Sequence, residues 1–275
     1  MTALPTVGLV AALAMADALA YGAPMTEPTP NFPDDRSALF FDFDGTLVDL
    51  AAQPDAIQVH PDLTRWLAQL EGALQGALAV VSGRPLAEID DYLQPLTLCA
   101  AGVHGVEWRG PDRQLHRMAA PGLQAATALI DRLVQKHPAL RMEPKPGAVA
   151  LHYRQAPELQ ALCEATMAQA LALADGLSLM HGKRVLELMP ARASKGQALQ
   201  RLLALPPFEG RRPWFFGDDV TDESAFEAAQ AVGGVAVKVG AGPTCATTRL
   251  PDPAALRAWI SAAAQRLIGS PEARR

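Results

Sequence analysis

The chain has 275 residues, enough for one large or two modest domains with a buried core. At 49% hydrophobic and 19% charged its composition is globular and excludes disorder, and aromatics at only 5% leave alanine and leucine to build the core, a balance that favours helix-rich α/β architecture. Asp and Glu number 29 against 24 Lys and Arg, a net charge of −5 with no basic run, which argues against nucleic acid as a partner and leaves room for a small anionic substrate held by a few converging cations.

From the start, Val7 to Ala20 is apolar and alanine-rich. No Lys or Arg precedes Arg36, so the positive region of a secretory signal is missing, and Asp17 interrupts a run too short to span a bilayer. Residues 1–34 are therefore expected to be a flexible extension, with Met25 as an alternative start. The chain is expected to be cytoplasmic, without a membrane partner. Cys99, Cys163 and Cys245 are odd in number and far apart, which fits neither a disulfide framework nor a zinc site.

Ala38 to Phe41 reads as a short buried strand that ends in Asp42-Phe43-Asp44-Gly45-Thr46. Two carboxylates at the mouth of an apolar strand are costly unless a cation sits beside them. Pro61 to Glu71 has helical spacing. Ala77 to Val81 is a second strand, stopping at Ser82-Gly83-Arg84-Pro85, where a helix begins. A hydroxyl and free backbone N–H groups there suit an oxyanion, and a plain strand–helix turn explains the same residues. Leu96 to Ala101 is a third strand. Val106 to Met118 then reads as a hairpin, Leu123 to Lys136 as a helix, Ala148 to Arg154 as a strand, Pro157 to Leu173 as a helix, and Ser178 to Met189 as extended chain. The block 108–190 is thus an α+β insertion within a larger α/β domain.

Alternation along two of its strands groups Lys183, Val185, Glu187 and Met189 on one face, and Ala148, Ala150, His152 and Arg154 on another. Mixed charges beside small apolar groups suit a sugar-binding surface, although from pattern alone an exposed sheet face with a cross-strand ion pair is the simpler reading. Ser194 and Gln197 fit a capping box that puts Lys195 in the first turn of a helix. Trp214 to Phe216 is another strand, followed by Gly217-Asp218-Asp219-Val220-Thr221-Asp222-Glu223, in which Thr221 is expected to cap the next helix. Gly234 to Val239 and Pro253 to Leu267 complete the chain as a strand and a helix.

Strand ends of a parallel sheet are where ligand sites collect. Asp42, Asp44, Ser82, Asp218, Asp219 and, on a helix start, Lys195 would together make a site of clustered carboxylates, a hydroxyl and an ammonium, which fits Mg²⁺ and a phosphate group. A carboxylate attacking phosphorus with a second as acid and base is the chemistry such parts serve.

The motifs D-x-D-G-T, S-G-R, S-K-G and G-D-D-x-T-D-E, in that order, resemble the four signatures of haloacid-dehalogenase-type phosphatases. More narrowly, G-D-D-V-T-D-E at 217–223, A-G-V-H-G at 101–105, E-P-K at 143–145, L-H-Y-R at 151–154 and G-K-R-V-L-E-L-M-P at 182–190 resemble the trehalose-6-phosphate phosphatase family. That resemblance implies a Rossmann-like parallel-sheet core, residues 35–107 and 191–270, with an inserted α+β cap domain, residues 108–190. It implies Asp42 as nucleophile and Asp44 as the acid that protonates the leaving sugar and then activates water. Mg²⁺ would be held by Asp42, the backbone carbonyl of Asp44, and Asp218, with Asp219 and Asp222 in support. Ser82, Arg84 and Lys195 would take the phosphate, and Glu143, Lys145, Arg154, Lys183 and Glu187 the glucose hydroxyls. The implied substrate is trehalose 6-phosphate, hydrolysed by a monomer through an aspartyl-phosphate. The alternatives are another sugar phosphate, such as sucrose phosphate, and a non-catalytic module that senses a sugar phosphate.

Overall fold

A computed structural model describes residues 30–51, 56–182 and 184–269 of the chain. Most of the expected N-terminal extension, and Met25 with it, lies outside these. Residues 30–34 are described and lie against the last helix: Trp259 Nε1 donates to Asn31 O at 3.1 Å, and Phe32 stacks on the Trp259 ring.

The strands of the core are β1 (Ser37–Phe41), β2 (Leu78–Val81), β3 (Cys99–Gly102), β4 (Glu107–Arg109), β5 (Leu115–Arg117), β10 (Arg212–Gly217), β11 (Val235–Val239) and β12 (Thr248–Leu250). They form one sheet in the order β12-β11-β10-β1-β2-β3-β4-β5, parallel from β12 to β3 and antiparallel thereafter. Every residue of β1 and β2 is buried, which requires cover on both faces. Helices α1 (Leu63–Ala73), α2 (Leu86–Leu93), α5 (Lys195–Leu203), α6 (Glu223–Ala231) and α7 (Pro253–Gly269) supply it, α1 packing on α7 and α5 on α6. The expected α/β core with an inserted α+β segment is the observed architecture.

The insertion contains α3 (Leu123–Lys136), β6 (Arg141–Lys145), β7 (Ala148–His152), α4 (Gln160–Ala172), β8 (Leu177–Gly182) and β9 (Val185–Pro190). Its sheet runs β6-β7-β9-β8, antiparallel throughout. The alternation read from sequence divides its faces. Val149, Leu151, Leu186 and Leu188 enter an apolar cluster with Ala126, Ile130, Cys163 and Met167 of the two helices, while Ala148 and Met189 join a smaller cluster with Val103 and Val106 of the core. The insertion thus has its own core and turns its other face toward the strand ends of the large sheet.

Two expectations need correcting. The hairpin at 106–118, grouped with the insertion by sequence, pairs with β3 and extends the core sheet. The segment 178–189, read as one extended piece, is two strands, β8 and β9, paired with each other.

Two separate apolar clusters predict separable stability. Leu188→Ala, at a fully buried position of the insertion, should cost about 2–5 kcal/mol. Hydrogen exchange should show that loss in β6 to β9 with α3 and α4, while amides of β1 and β10 keep their protection.

Candidate active site

Strand β1 lies between β10 and β2, with Phe41 level with Phe216 on one side and Val80 on the other. The residues leaving these three strands, Asp42, Asp218 and Ser82, are therefore neighbours by register. Between β1 and β10 the chain switches sides of the sheet, the place where open α/β sheets leave a crevice at their strand ends. Asp42 N donates to Phe216 O and Ser82 N to Ala101 O, both at 2.9 Å, so the backbone pairing persists to the last residue before each turn.

The charged centre is Lys195. It opens α5 behind Ser194, whose Oγ accepts from Gln197 N at 3.1 Å as the N-cap. Its ammonium is buried between two carboxylates, 2.7 Å from Asp42 Oδ1 and 2.6 Å from Asp222 Oδ1. Burial works against its charge, but Asp222 and Asp42 outweigh that and raise its pKa. Asp42, Asp218 and Asp222 each offer a carboxylate oxygen, all within 4.8 Å of one another. Thr46 Oγ1 makes two long bonds across this group, 3.3 Å to Asp42 Oδ2 and 3.4 Å to Asp218 Oδ1. Gly45, at φ +77°, leaves no room for a side chain beside the Asp218 carboxylate.

Three carboxylates share one ammonium, and their acidities show the imbalance. Burial, then Asp222, push the Asp42 carboxyl well above its usual value, against the pull of Lys195. Burial and Asp222 also raise Asp218 to about 6. An excess of buried negative charge with oxygen donors suits a hard divalent cation.

The turn after β10 departs from expectation. Thr221 does not cap α6, whose N-cap position is Asp222 without a side-chain cap bond. It lies inside a short helical turn, Val220–Asp222, that Asp219 caps, Asp219 Oδ1 accepting from Val220 N at 2.6 Å and Asp222 completing the capping box. The exposed Asp219 carboxylate is thus engaged with backbone, whereas Asp222 Oδ2 accepts from the amides of Asp218 and Asp219, both at 3.0 Å, and fixes the loop.

Arg84 was expected at the phosphate. In the structure its guanidinium grips Asp44 from two sides, Nε to Oδ2 at 2.7 Å and Nη2 to Oδ1 at 2.9 Å, and its Nη1 lies 2.9 Å from Glu88 Oε2. Burial would lower its pKa, but the bonds to Asp44 and Glu88 raise it overall. Ser82 Oγ accepts from Arg84 N at 3.1 Å.

Facing this centre is the polar side of the inserted sheet. Glu143, Ala150 and Glu187 lie level across β6, β7 and β9. Lys145 Nζ reaches Glu187 Oε2 at 3.0 Å and Gly83 O at 3.3 Å, so this ammonium ties the insertion to the loop after β2. His152 Nε2 sits 2.6 Å from Glu143 Oε2, and that bond heads the causes that lower the Glu143 pKa. Burial raises the pKa of Glu187 despite Lys145. A cleft of about 1170 Å³ opens between Arg84, Glu88 and Tyr92 on the core and Glu143, His152 and Arg154 on the insertion. Lys183 lies outside the described residues.

Three residues that hold the site together were not singled out from sequence. Thr46 had a signal, its place in D-x-D-G-T. Lys238 had one too, as a lysine inside the apolar run Val235-Ala236-Val237-Lys238-Val239; it is buried and donates to Asp218 O. Glu107, also buried, accepts from Leu86 N at 2.7 Å and pins the start of α2, a contact across 21 residues that no local pattern announces.

A hydrolase of phosphate monoesters on a haloacid-dehalogenase-type core is the class that this fold and this grouping of side chains define. The trehalose-phosphatase family profile matches residues 40–253. A probable trehalose-phosphate phosphatase of Sinorhizobium fredii is 42% identical over 235 residues, covering 84% of this chain and 88% of that one. The trehalose-6-phosphate phosphatase of Escherichia coli is 36% identical over 240 residues, 86% and 90% of the two chains. The solved C-terminal domain of a trehalose-6-phosphate phosphatase from C. albicans superposes with a TM-score of 0.72 at 21% identity, over 88% of this chain and 99% of that one, and so shares its fold. The chain belongs to the trehalose-phosphatase family.

The raised pKa of Asp218 has a measurable consequence. As pH rises from about 4 to about 6, the unfolded chain loses this proton before the folded one does, so the folded state is progressively disfavoured. In EDTA, Asp218→Asn should therefore unfold at a higher temperature than the unaltered protein at pH 7.5, and the gap should narrow at pH 5. A gap independent of pH would contradict the assignment.

Proposed function

We propose that this protein is an Mg²⁺-dependent phosphatase that hydrolyses trehalose 6-phosphate to trehalose and phosphate through an aspartyl-phosphate. The observation that carries the reading is Asp42, buried at a strand end, paired with Lys195 and crowded by Asp218 and Asp222. Asp42, Asp218 and the backbone carbonyl of Asp44 would hold the cation, with Asp222 fixing the loop from behind. Bound there, Mg²⁺ neutralises surplus carboxylate charge and polarises the phosphoryl group.

The remaining chemistry belongs to the chain. Lys195 and Ser82 orient the phosphate at the start of α5 and the end of β2. An Asp42 carboxylate oxygen attacks phosphorus. The bond from phosphorus to the sugar oxygen breaks, and Asp44 gives that oxygen its proton. Asp44 then takes a proton from water, the water oxygen attacks the phosphorus of the aspartyl-phosphate, and phosphate leaves with Asp42 restored. Both Asp44 oxygens are held by Arg84, so Arg84 aims this carboxylate and must loosen its hold when the proton moves.

The inserted unit acts as a cap. Glu143, Lys145, Arg154, Lys183 and Glu187 read the sugar hydroxyls, and the Lys145–Gly83 contact closes the cap over the phosphate loop, excluding water until the phosphoryl-enzyme has formed.

A panel of sugar phosphates tests the substrate: trehalose 6-phosphate should exceed glucose 6-phosphate and sucrose 6-phosphate in kcat/KM, and equal rates would remove the narrow assignment. Asp42→Asn should abolish turnover; retained turnover would exclude the covalent step. Arg84→Lys should lower kcat by about 10- to 100-fold with KM little changed, because it disturbs the aim of Asp44 more than it weakens binding.

A further inference from the structure

His104 has no part in the chemistry above, yet its setting is costly to build. Val103 and His104 are consecutive non-glycine residues in the left-handed region, at φ 48° and 54°, a conformation that costs energy at each position. The turn is held by the phosphate loop: Val103 N donates to Arg84 O and His104 N to Ser82 O, both at 2.9 Å. It delivers the His104 ring onto Gly83, where an added Cβ would come within 2.7 Å of His104 Nε2, so only glycine fits beneath it.

His104 is 8% exposed, and its Nδ1 is buried without a hydrogen-bond partner. Burial, reinforced by Lys195 and Lys145, keeps the ring neutral at physiological pH. It therefore carries one N–H donor and one acceptor nitrogen. Across from it, Lys145 bridges Gly83 O and Glu187 Oε2, and Glu187 Oε1 is a second buried atom without a partner. Lys145 thus links the loop beneath His104 to Glu187, and each of these two residues, one on the core and one on the insertion, has a buried polar atom without a partner. A buried polar atom without a partner costs about 1–3 kcal/mol, and one that is paired only when ligand binds turns that cost into discrimination against ligands lacking the matching group.

We propose that His104 is a specificity-determining residue, hydrogen-bonding from the core side a hydroxyl of the sugar ring that carries the phosphate. The inference rests on the sugar-phosphate reading above. A neutral ring suits this role. It can pair with a hydroxyl as donor or acceptor, and it adds no charge beside two lysines. A ligand running from Ser82 to the Glu187 carboxylate enters when the Lys145–Gly83 contact parts, which also uncovers the imidazole.

His104→Asn keeps an amide near the position of Nδ1 and tolerates left-handed backbone. The test compares kcat/KM for trehalose 6-phosphate and for p-nitrophenyl phosphate, which has no hydroxyls, in the Mg²⁺-loaded full chain. The ratio of the two should fall about tenfold or more in the variant, chiefly through KM for the sugar phosphate. An equal fall on both substrates would assign His104 to bracing the phosphate loop alone, and an unchanged ratio with unchanged rates would remove it from the site; either overturns the proposal. If unaltered protein does not hydrolyse trehalose 6-phosphate, the functional reading itself fails, a distinct result. Should the variant not fold, imidazole ¹⁵N spectra of Asp42→Asn decide: a buried neutral histidine should shift on adding trehalose 6-phosphate and not on adding inorganic phosphate, and no such difference would overturn the proposal.

Discussion

The ammonium of Lys195, enclosed between Asp42 and Asp222, is the charge around which the molecule is arranged. Taking three ions of one small cluster out of water costs several kcal/mol each, and only close pairing with further hydrogen bonds offsets it. That need explains the surroundings. The start of α5 has to lie against the ends of β1 and β10, the turn after β10 has to present its amides to Asp222, and Lys238 has to hold the Asp218 carbonyl. Removing the lysine would leave buried carboxylates without compensation. The same cluster that strains the fold thus supplies oxygen donors that suit a divalent cation.

The second constraint is the distance between reaction and recognition. The buried carboxylates and Lys195 gather at core strand ends and a helix start, whereas Glu143, Lys145 and Glu187 stand on the inserted sheet. Among the contacts that cross between the two are a small apolar cluster of Val103 and Val106 with Ala148 and Met189, and the bond from Lys145 to Gly83 O. A bond between a long lysine side chain and a backbone carbonyl suits a surface that must part and close: it aligns the two units without a large apolar seam to break. Separate apolar clusters in core and insertion agree with that division.

Much of this was legible in the chain. The motif at 42–46 stands out because a buried strand cannot end in two acids without a reason, and the period-two faces of β7 and β9 were sorted correctly because one side of each strand packs on helices. Local pattern failed where partners are distant. The hairpin at 106–118 looks the same whichever sheet it joins, and only its pairing with β3 places it. Strand β6, Arg141-Met142-Glu143-Pro144-Lys145, carries a proline and charges at an edge and lacks the alternation of a half-buried strand. The side chain that caps the turn after β10 is Asp219, two positions before the expected Thr221. The pairing of Arg84 with Asp44 spans 40 residues, and no local pattern announces it. Lys238, a charge among valines, was the visible signal that went unused.

If Asp42 and Asp218, braced by Asp222, hold a divalent cation as proposed, turnover depends on that metal. Phosphate release from trehalose 6-phosphate, followed at neutral pH in the presence of Mg²⁺ and after its removal with EDTA, tests it most directly. Release should be rapid with the metal, vanish with EDTA and return when Mg²⁺ is restored in excess. Release that continues undiminished in EDTA, or none under either condition, would contradict the account.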